Sequence, residues 1–162
     1  MKAIRVVKKL LLVLILLSFT ACTSADKKSY AEKVSKRDDY NALYYAITEN
    51  QLSRVEDMLK RGVNVDSRRE DGTTVLMSAI MLRKRDAINL LLRYGADVNA
   101  KNDMGKTPLI YAVLIGDPNV VKQLIDRGAD PSIKDSTGMS AYDYAKQKGL
   151  DNLLNILKRK RY

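Results

Sequence analysis

Gly95-Ala96-Asp97-Val98-Asn99-Ala100-Lys101-Asn102-Asp103-Met104-Gly105-Lys106-Thr107-Pro108-Leu109 decides the reading of this chain, because its parts recur along the sequence at one interval. Gly62, Gly95 and Gly128 are each 33 residues apart, and so are Gly72, Gly105 and Gly138. Ala46, Ala79, Ala112 and Ala145 form a third ladder in the same phase. Three ladders with one period mark a stack of repeated units, each burying an apolar side against its neighbour. Gly62, Gly95 and Gly128 each follow apolar residues at steps of three and four, where a helix commonly ends on a residue of positive φ.

Working outward, four units follow: 40–72, 73–105, 106–138 and 139–162. In the third, Thr107 can cap exposed helix amides, and Pro108 suits the first helical position, where no backbone donor is needed. A 33-residue unit with a Gly-Ala-Asp tip and a Thr-Pro-Leu helix start resembles the ankyrin repeat, a β-turn followed by two antiparallel helices. The resemblance covers residues 39–162. It implies an all-α solenoid of about four helix–turn–helix units with hairpin tips, in which the first and last units are caps. The first has Asn41-Ala42-Leu43 in place of Thr-Pro-Leu, and the last ends in the polar run Lys158-Arg159-Lys160-Arg161. Two departures stand out. The glycine between the two helices of a unit is kept as Gly116 and Gly149 but is Asn50 in the first unit and Arg83 in the second, where a wider or strained turn is expected. The family's histidine after Thr-Pro-Leu is Ile110, and the chain contains no histidine, which removes hydrogen bonds between repeats.

Residues 1–21 form a separate segment: a basic start, the apolar run Leu10 to Leu17, then small or hydroxylated residues up to Cys22, the single cysteine. That order reads as a secretory signal, and the apolar run is short of the roughly 20 residues of a membrane span. Phe19-Thr20-Ala21-Cys22 resembles the bacterial lipobox, with Phe19 where the class prefers Leu. The resemblance implies that Cys22 is acylated and becomes the mature N-terminus. Residues 22–38, rich in Ser, Lys and Asp, then read as a flexible tether. The implied address is the bacterial cell envelope, facing the periplasm or the surface. Thr23-Ser24 lacks the acidic residue that retains many lipoproteins in the inner membrane, so the outer membrane is expected.

The formal charge is +10, of which Lys2, Arg5, Lys8 and Lys9 lie in the first ten residues. Such an excess bears on solubility and partners, not on fold. Without histidine there is no imidazole base or ligand, and the sequence holds no phosphate loop or zinc spacing. No catalytic residue, metal site or cofactor is expected, and the chain reads as non-enzymatic. Basic residues are spread out without interleaved aromatics, so nucleic acid is not expected as a partner.

The ankyrin resemblance implies protein binding through the hairpin tips and the exposed side of the inner helices. Carried over position by position, the tips contribute Arg68, Glu70, Asp71 and Thr73, then Lys101, Asp103, Met104 and Lys106, then Lys134, Ser136 and Thr137. The inner helices contribute Met81, Leu82, Leu114 and Ile115, an apolar stripe with a basic rim. Gly62, Gly95, Gly128, Gly72, Gly105 and Gly138 are expected to shape turns, and Asp97 and Asp130 to support them. The expectation is a monomeric, membrane-tethered lipoprotein that binds a protein partner. Two alternatives stay open: an immunity or chaperone protein for an exported toxin or enzyme, and a basic adhesin that contacts anionic lipid or polysaccharide through Lys158 to Arg161 and the tether lysines.

Overall fold

The structure, a computed structural model, describes residues 38–158. Cys22, the leader, the tether up to residue 37 and the basic residues 159–161 lie outside the described residues. Within it, eight helices run in pairs: α1 (residues 38–48) with α2 (Leu52–Lys60), α3 (Val75–Met81) with α4 (Arg85–Arg93), α5 (Pro108–Leu114) with α6 (Pro118–Asp126), and α7 (Ala141–Gln147) with α8 (Asp151–Lys158). The odd-numbered inner helices stack on one another, α3 on α5 and α5 on α7, and α2 packs on α4 and α6 on α8 in the outer layer. No described helix is long and apolar enough to cross a membrane.

Local chemistry sets where each helix begins and ends. Thr74, Thr107 and Ser140, one per unit, accept from the amides of Met77, Ile110 and Asp143 and so cap α3, α5 and α7. Asp117 does the same for α6, accepting from Asn119 N and Val120 N ahead of Pro118. Outer helices stop at left-handed residues: Gly62, Gly95 and Gly128 have φ of 89°, 82° and 99°. The next amide folds back in each case, Val63 N to Met58 O, Ala96 N to Leu91 O and Ala129 N to Leu124 O. That closure satisfies carbonyls the helix would otherwise leave open.

The inner helices end in the same motif. Asn50, Arg83, Gly116 and Gly149 all have positive φ, at 58°, 56°, 69° and 65°. Lys84 N reaches Ala79 O at 3.0 Å just as Asp117 N reaches Ala112 O at 3.2 Å. The Arg83 turn is therefore not widened. The cost of a left-handed arginine, roughly 1–2 kcal/mol, is opposed by its guanidinium, which donates to Ile115 O of the next unit at 2.7 Å.

Between the helix layers lies one continuous core. Leu43, Leu76, Ile80, Leu91, Leu109 and Leu124 are among its fully buried members, and the alanine ladder runs through it with Ala46, Ala79, Ala112 and Ala145 all buried. A larger side chain on the ladder would overpack the interhelical contact, at about 1–3 kcal/mol. The positions of the missing histidine are filled differently in each unit. Met77 and Ile110 are fully buried, whereas Asp143 turns back to accept from Ser140 N at 2.9 Å.

Candidate functional site

The site expected from sequence spans the hairpin tips and the inner helices, and the tips are built from short closed turns. Arg69, Asn102 and Asp135 donate their amides to the carbonyls of Thr73, Lys106 and Met139, and Gly72, Gly105 and Gly138 close each turn by donating back. Successive tips are joined: Asp103 N donates to Asp71 O at 3.0 Å, and Ser136 N to Met104 O at 2.9 Å. Arg68 Nη1 also reaches Lys101 O at 3.0 Å. The turn aspartates work one layer down, where Asp97 Oδ1 accepts from Asn99 N and Asp130 Oδ1 from Ser132 N. Asp66 Oδ1 and Asn99 Oδ1 accept from the next unit's Asp97 N and Asp130 N. The tips thus form a connected edge, so side chains upon it are held in fixed spacing.

Beneath the third tip sits a polar cluster that joins it to Lys106 of the second tip and to Tyr144 of α7. Asp135 is buried, its Oδ2 accepting from Lys106 Nζ at 2.9 Å and from the Tyr144 hydroxyl at 2.7 Å. Its Oδ1 accepts from Thr137 N, the Thr137 hydroxyl and Met139 N. Burial alone would raise this carboxyl, but the hydrogen bonds from Thr137, Lys106 and Tyr144 outweigh it and hold Asp135 well below the usual carboxylate range. Desolvation likewise would lower Lys106, yet its bonds to Tyr144 and Asp135 raise it on balance. One tip earlier, Asp71 is held at about 2, first by its hydrogen bonds with Arg69.

This geometry sorts the sequence-derived residues. Thr73 is not available to a partner: it is 2% exposed, folded under the first tip with its amide bound to Asp71 Oδ1. The sequence placed it by register with Lys106, but a short hydroxyl there sinks into the turn. Lys106 is fastened to Asp135 and Tyr144 and lies over the Tyr144 ring at 4.7 Å. Leu114 and Ile115 are half-buried and pack against the core. Arg68, Glu70, Lys101, Asp103, Lys134, Ser136 and Thr137 are exposed, and Asp71 is half-buried. Met81, Leu82 and Met104 are exposed at 42%, 39% and 53%.

A fourth large apolar side chain was missed by the sequence reading. Tyr45 is 66% exposed and meets Tyr44 edge to face at 5.9 Å. Tyr44 in turn stacks on Tyr40 at 5.8 Å, and the Tyr40 hydroxyl pairs with Ser78 Oγ at 2.8 Å. The signal was present in the period, because Tyr45, Tyr111 and Tyr144 share one register, interrupted by Ser78. Among the described residues, the four exposed large apolar side chains, Tyr45, Met81, Leu82 and Met104, fall at tip or inner-helix positions of the register. Exposed apolar groups gathered on one side, with polar groups around them, have the makeup of an interaction surface.

A cleft beside the last unit is lined by Asp130, Pro131, Ser132, Lys134, Ser140, Tyr142, Asp143 and Leu157. Its two serine–carboxylate contacts, each 2.6 Å, belong to local structure: Ser140 Oγ to Asp143 Oδ2 to the cap of α7, and Ser132 Oγ to Asp130 Oδ1 to the turn at Asp130. Among the described residues no group of His, Cys, Asp and Glu is placed to hold a metal ion.

Charge divides between the described residues and the flanks. Residues 38–158 contain 17 Lys and Arg against 17 Asp and Glu, so the whole formal excess of +10 resides outside them. No curated protein matches the chain. A family model described as ankyrin repeats (3 copies) matches residues 1–102 and, overlapping it, 43–135. With more than half of the chain matched, and with paired helices, left-handed helix ends and linked hairpin tips repeating every 33 residues, this protein belongs to the ankyrin-repeat family, a protein-interaction module.

Proposed function

We propose that this chain is a non-enzymatic lipoprotein of a bacterial cell envelope, held to a membrane by acyl chains on Cys22, whose repeat stack binds a protein partner on its inner face. The observation that carries the binding half is the exposure of Met81, Leu82 and Met104 at inner-helix and tip positions of the register, while the large apolar residues of the core are buried or half-buried. Half-buried Leu114 and Ile115 continue the patch, and Arg68, Lys101 and Lys134 stand at its rim. The balanced charge of residues 38–158 supports a protein partner over adhesion of the stack to a polyanion. The anchoring half is supported by the order of residues 1–22, and Thr23-Ser24 after the cysteine favours the outer membrane over the inner.

One co-purification tests the face. The wild-type chain, cross-linked in its native cells, should recover a protein that the double variant Met81→Asp plus Leu114→Asp loses; equal recovery would remove this face as the site. A separate measurement tests the anchor. Cys22→Ser should move the protein from the membrane fraction to the soluble fraction, and retention of the variant in the membrane would refute acyl anchoring.

A further inference from the structure

We propose that Met81 and Met104 are sites of reversible oxidation, and that conversion of their thioethers to sulfoxides by a peroxide releases the partner from the inner face. This rests on the partner-binding reading above and adds a means of regulating it.

Comparison of the repeats carries the inference. Five of the six methionines lie within residues 38–158, and the fold treats them in two ways. Met77 is 0% exposed and its sulfur accepts from Thr74 N at 3.5 Å, so it belongs to the core and to the cap of α3. Met58 packs half-buried against the core, and Met139 is half-buried as well. Met81 and Met104 are the exposed two, at 42% and 53%. Neither is demanded by the repeat. The register of Met81 holds Thr48, Leu114 and Gln147 in the other units, and that of Met104 holds Asp71 and Thr137. Polar side chains thus satisfy the fold at both positions in other units, whereas here a thioether stands where the proposed interface needs an apolar group.

A thioether is an apolar group whose polarity an oxidant can change. Hydrogen peroxide transfers one oxygen to a sulfur lone pair; the O–O bond breaks, the sulfur is oxidised by two electrons, and the peroxide leaves as water. The sulfoxide oxygen is a polar acceptor. In the free protein water satisfies it, because neither side chain is built into the core. A partner that covers it must strip this water, and a polar group buried without a donor is costly. Reduction by two thiols returns the thioether, with a disulfide and water as the other products. Met77 is closed to solvent, so the switch acts on binding and leaves the fold in place.

The test uses the full-length chain in detergent micelles, treated with dilute hydrogen peroxide and freed of it before use. Peptide mass spectrometry should find one added oxygen on Met81 and on Met104 well before Met77, with the thermal midpoint unchanged. Untreated and oxidised chains then capture protein from an extract of the native cells. The oxidised chain should retain about tenfold less, and incubation with both methionine sulfoxide reductases and dithiothreitol should restore capture. In Met81→Leu plus Met104→Leu, capture should not depend on peroxide, whatever its absolute level. Oxidation of Met77 as fast as of the exposed pair, equal capture by oxidised and untreated wild type, a loss the reductases do not reverse, or a loss that persists in the leucine variant would overturn the proposal. If Met81→Asp plus Leu114→Asp loses the protein but oxidation does not, only this inference fails; if that variant and the oxidised chain both retain it, the face itself is wrong. An untreated chain that captures nothing overturns the partner-binding reading and this inference with it.

Discussion

The second and third hairpin tips, residues 102–107 and 135–140, share one backbone path and differ in what it holds. In the second, Asn102 Oδ1 accepts from Lys106 N at 2.9 Å and its Nδ2 donates to the Tyr111 hydroxyl at 3.0 Å, a closed neutral cluster of the tip and the inner helix that follows it. In the third, Asp135 stands in the same place and Tyr144 replaces Tyr111, but the carboxylate also draws in Lys106 from the preceding tip. One atom's difference between amide and carboxylate thus changes a local turn into a link between successive tips. The glycines differ too. A Cβ on Gly105 would lie 3.0 Å from Asp135 Cα and 3.1 Å from Ser136 N, whereas one on Gly138 would meet nothing within 4 Å. Both have positive φ, at 70° and 79°, so one glycine is needed for backbone angle and close approach, the other for angle alone.

Breaking the charged link should give the largest effect. Asp135→Ala leaves Lys106 desolvated beside Tyr144 and strips two backbone amides of their acceptor, at about 3–5 kcal/mol, measured by urea unfolding. Asn102→Ala, at the neutral tip, should cost only about 1–2 kcal/mol; equal losses would mean that the carboxylate contributes nothing beyond its turn. Next comes the glycine pair. Gly105→Ala should destabilise by about 2–3 kcal/mol and Gly138→Ala by about 1 kcal/mol, and a reversed order of thermal midpoints would contradict the close approach between tips.

Acid sharpens the comparison further. The folded pKa of Asp135 is below its unfolded value, so its contribution is complete above the ordinary carboxylate range and is lost as pH falls through the folded pKa. Asp71, at about 2 in the fold, follows the same sign with a smaller share, since it is partly exposed to solvent screening. The wild-type chain should therefore lose stability as pH falls from about 4 toward 2, and Asp135→Asn should flatten that slope. An unchanged slope would show that the acid sensitivity resides elsewhere. The smallest expected effect is at Arg83→Gly, which relieves a left-handed side chain but removes the bond to Ile115 O. The two terms nearly cancel, leaving a net change within about 1 kcal/mol by thermal unfolding.

Much of this was legible before any coordinates. The 33-residue ladders set the number of units, the helix ends and the alanine contacts, because a glycine at positive φ or an alanine at a close crossing is demanded by backbone sterics that act within a few residues. The apolar stripe was read from the same register, and Met81, Leu82 and Met104 are exposed as that register implies. Thr73 and Lys106 were less legible. They share one register position, yet the threonine is buried under its tip and the lysine is committed to Asp135 and Tyr144, which depends on the length of the side chain and on what the next unit offers. Arg83 was expected to disturb its turn, and the repeated hydrogen-bond closure kept that turn in shape.

Sequence by itself therefore determined the repeat, its phase and the face on which free side chains would gather, since these follow from local dihedral limits and helical spacing. Tertiary structure alone decided which polar groups join one repeat to the next and which remain open to a partner. Residues 106, 135 and 144 meet only when two repeats stack, and an ion pair's worth depends on the burial that the stacking creates.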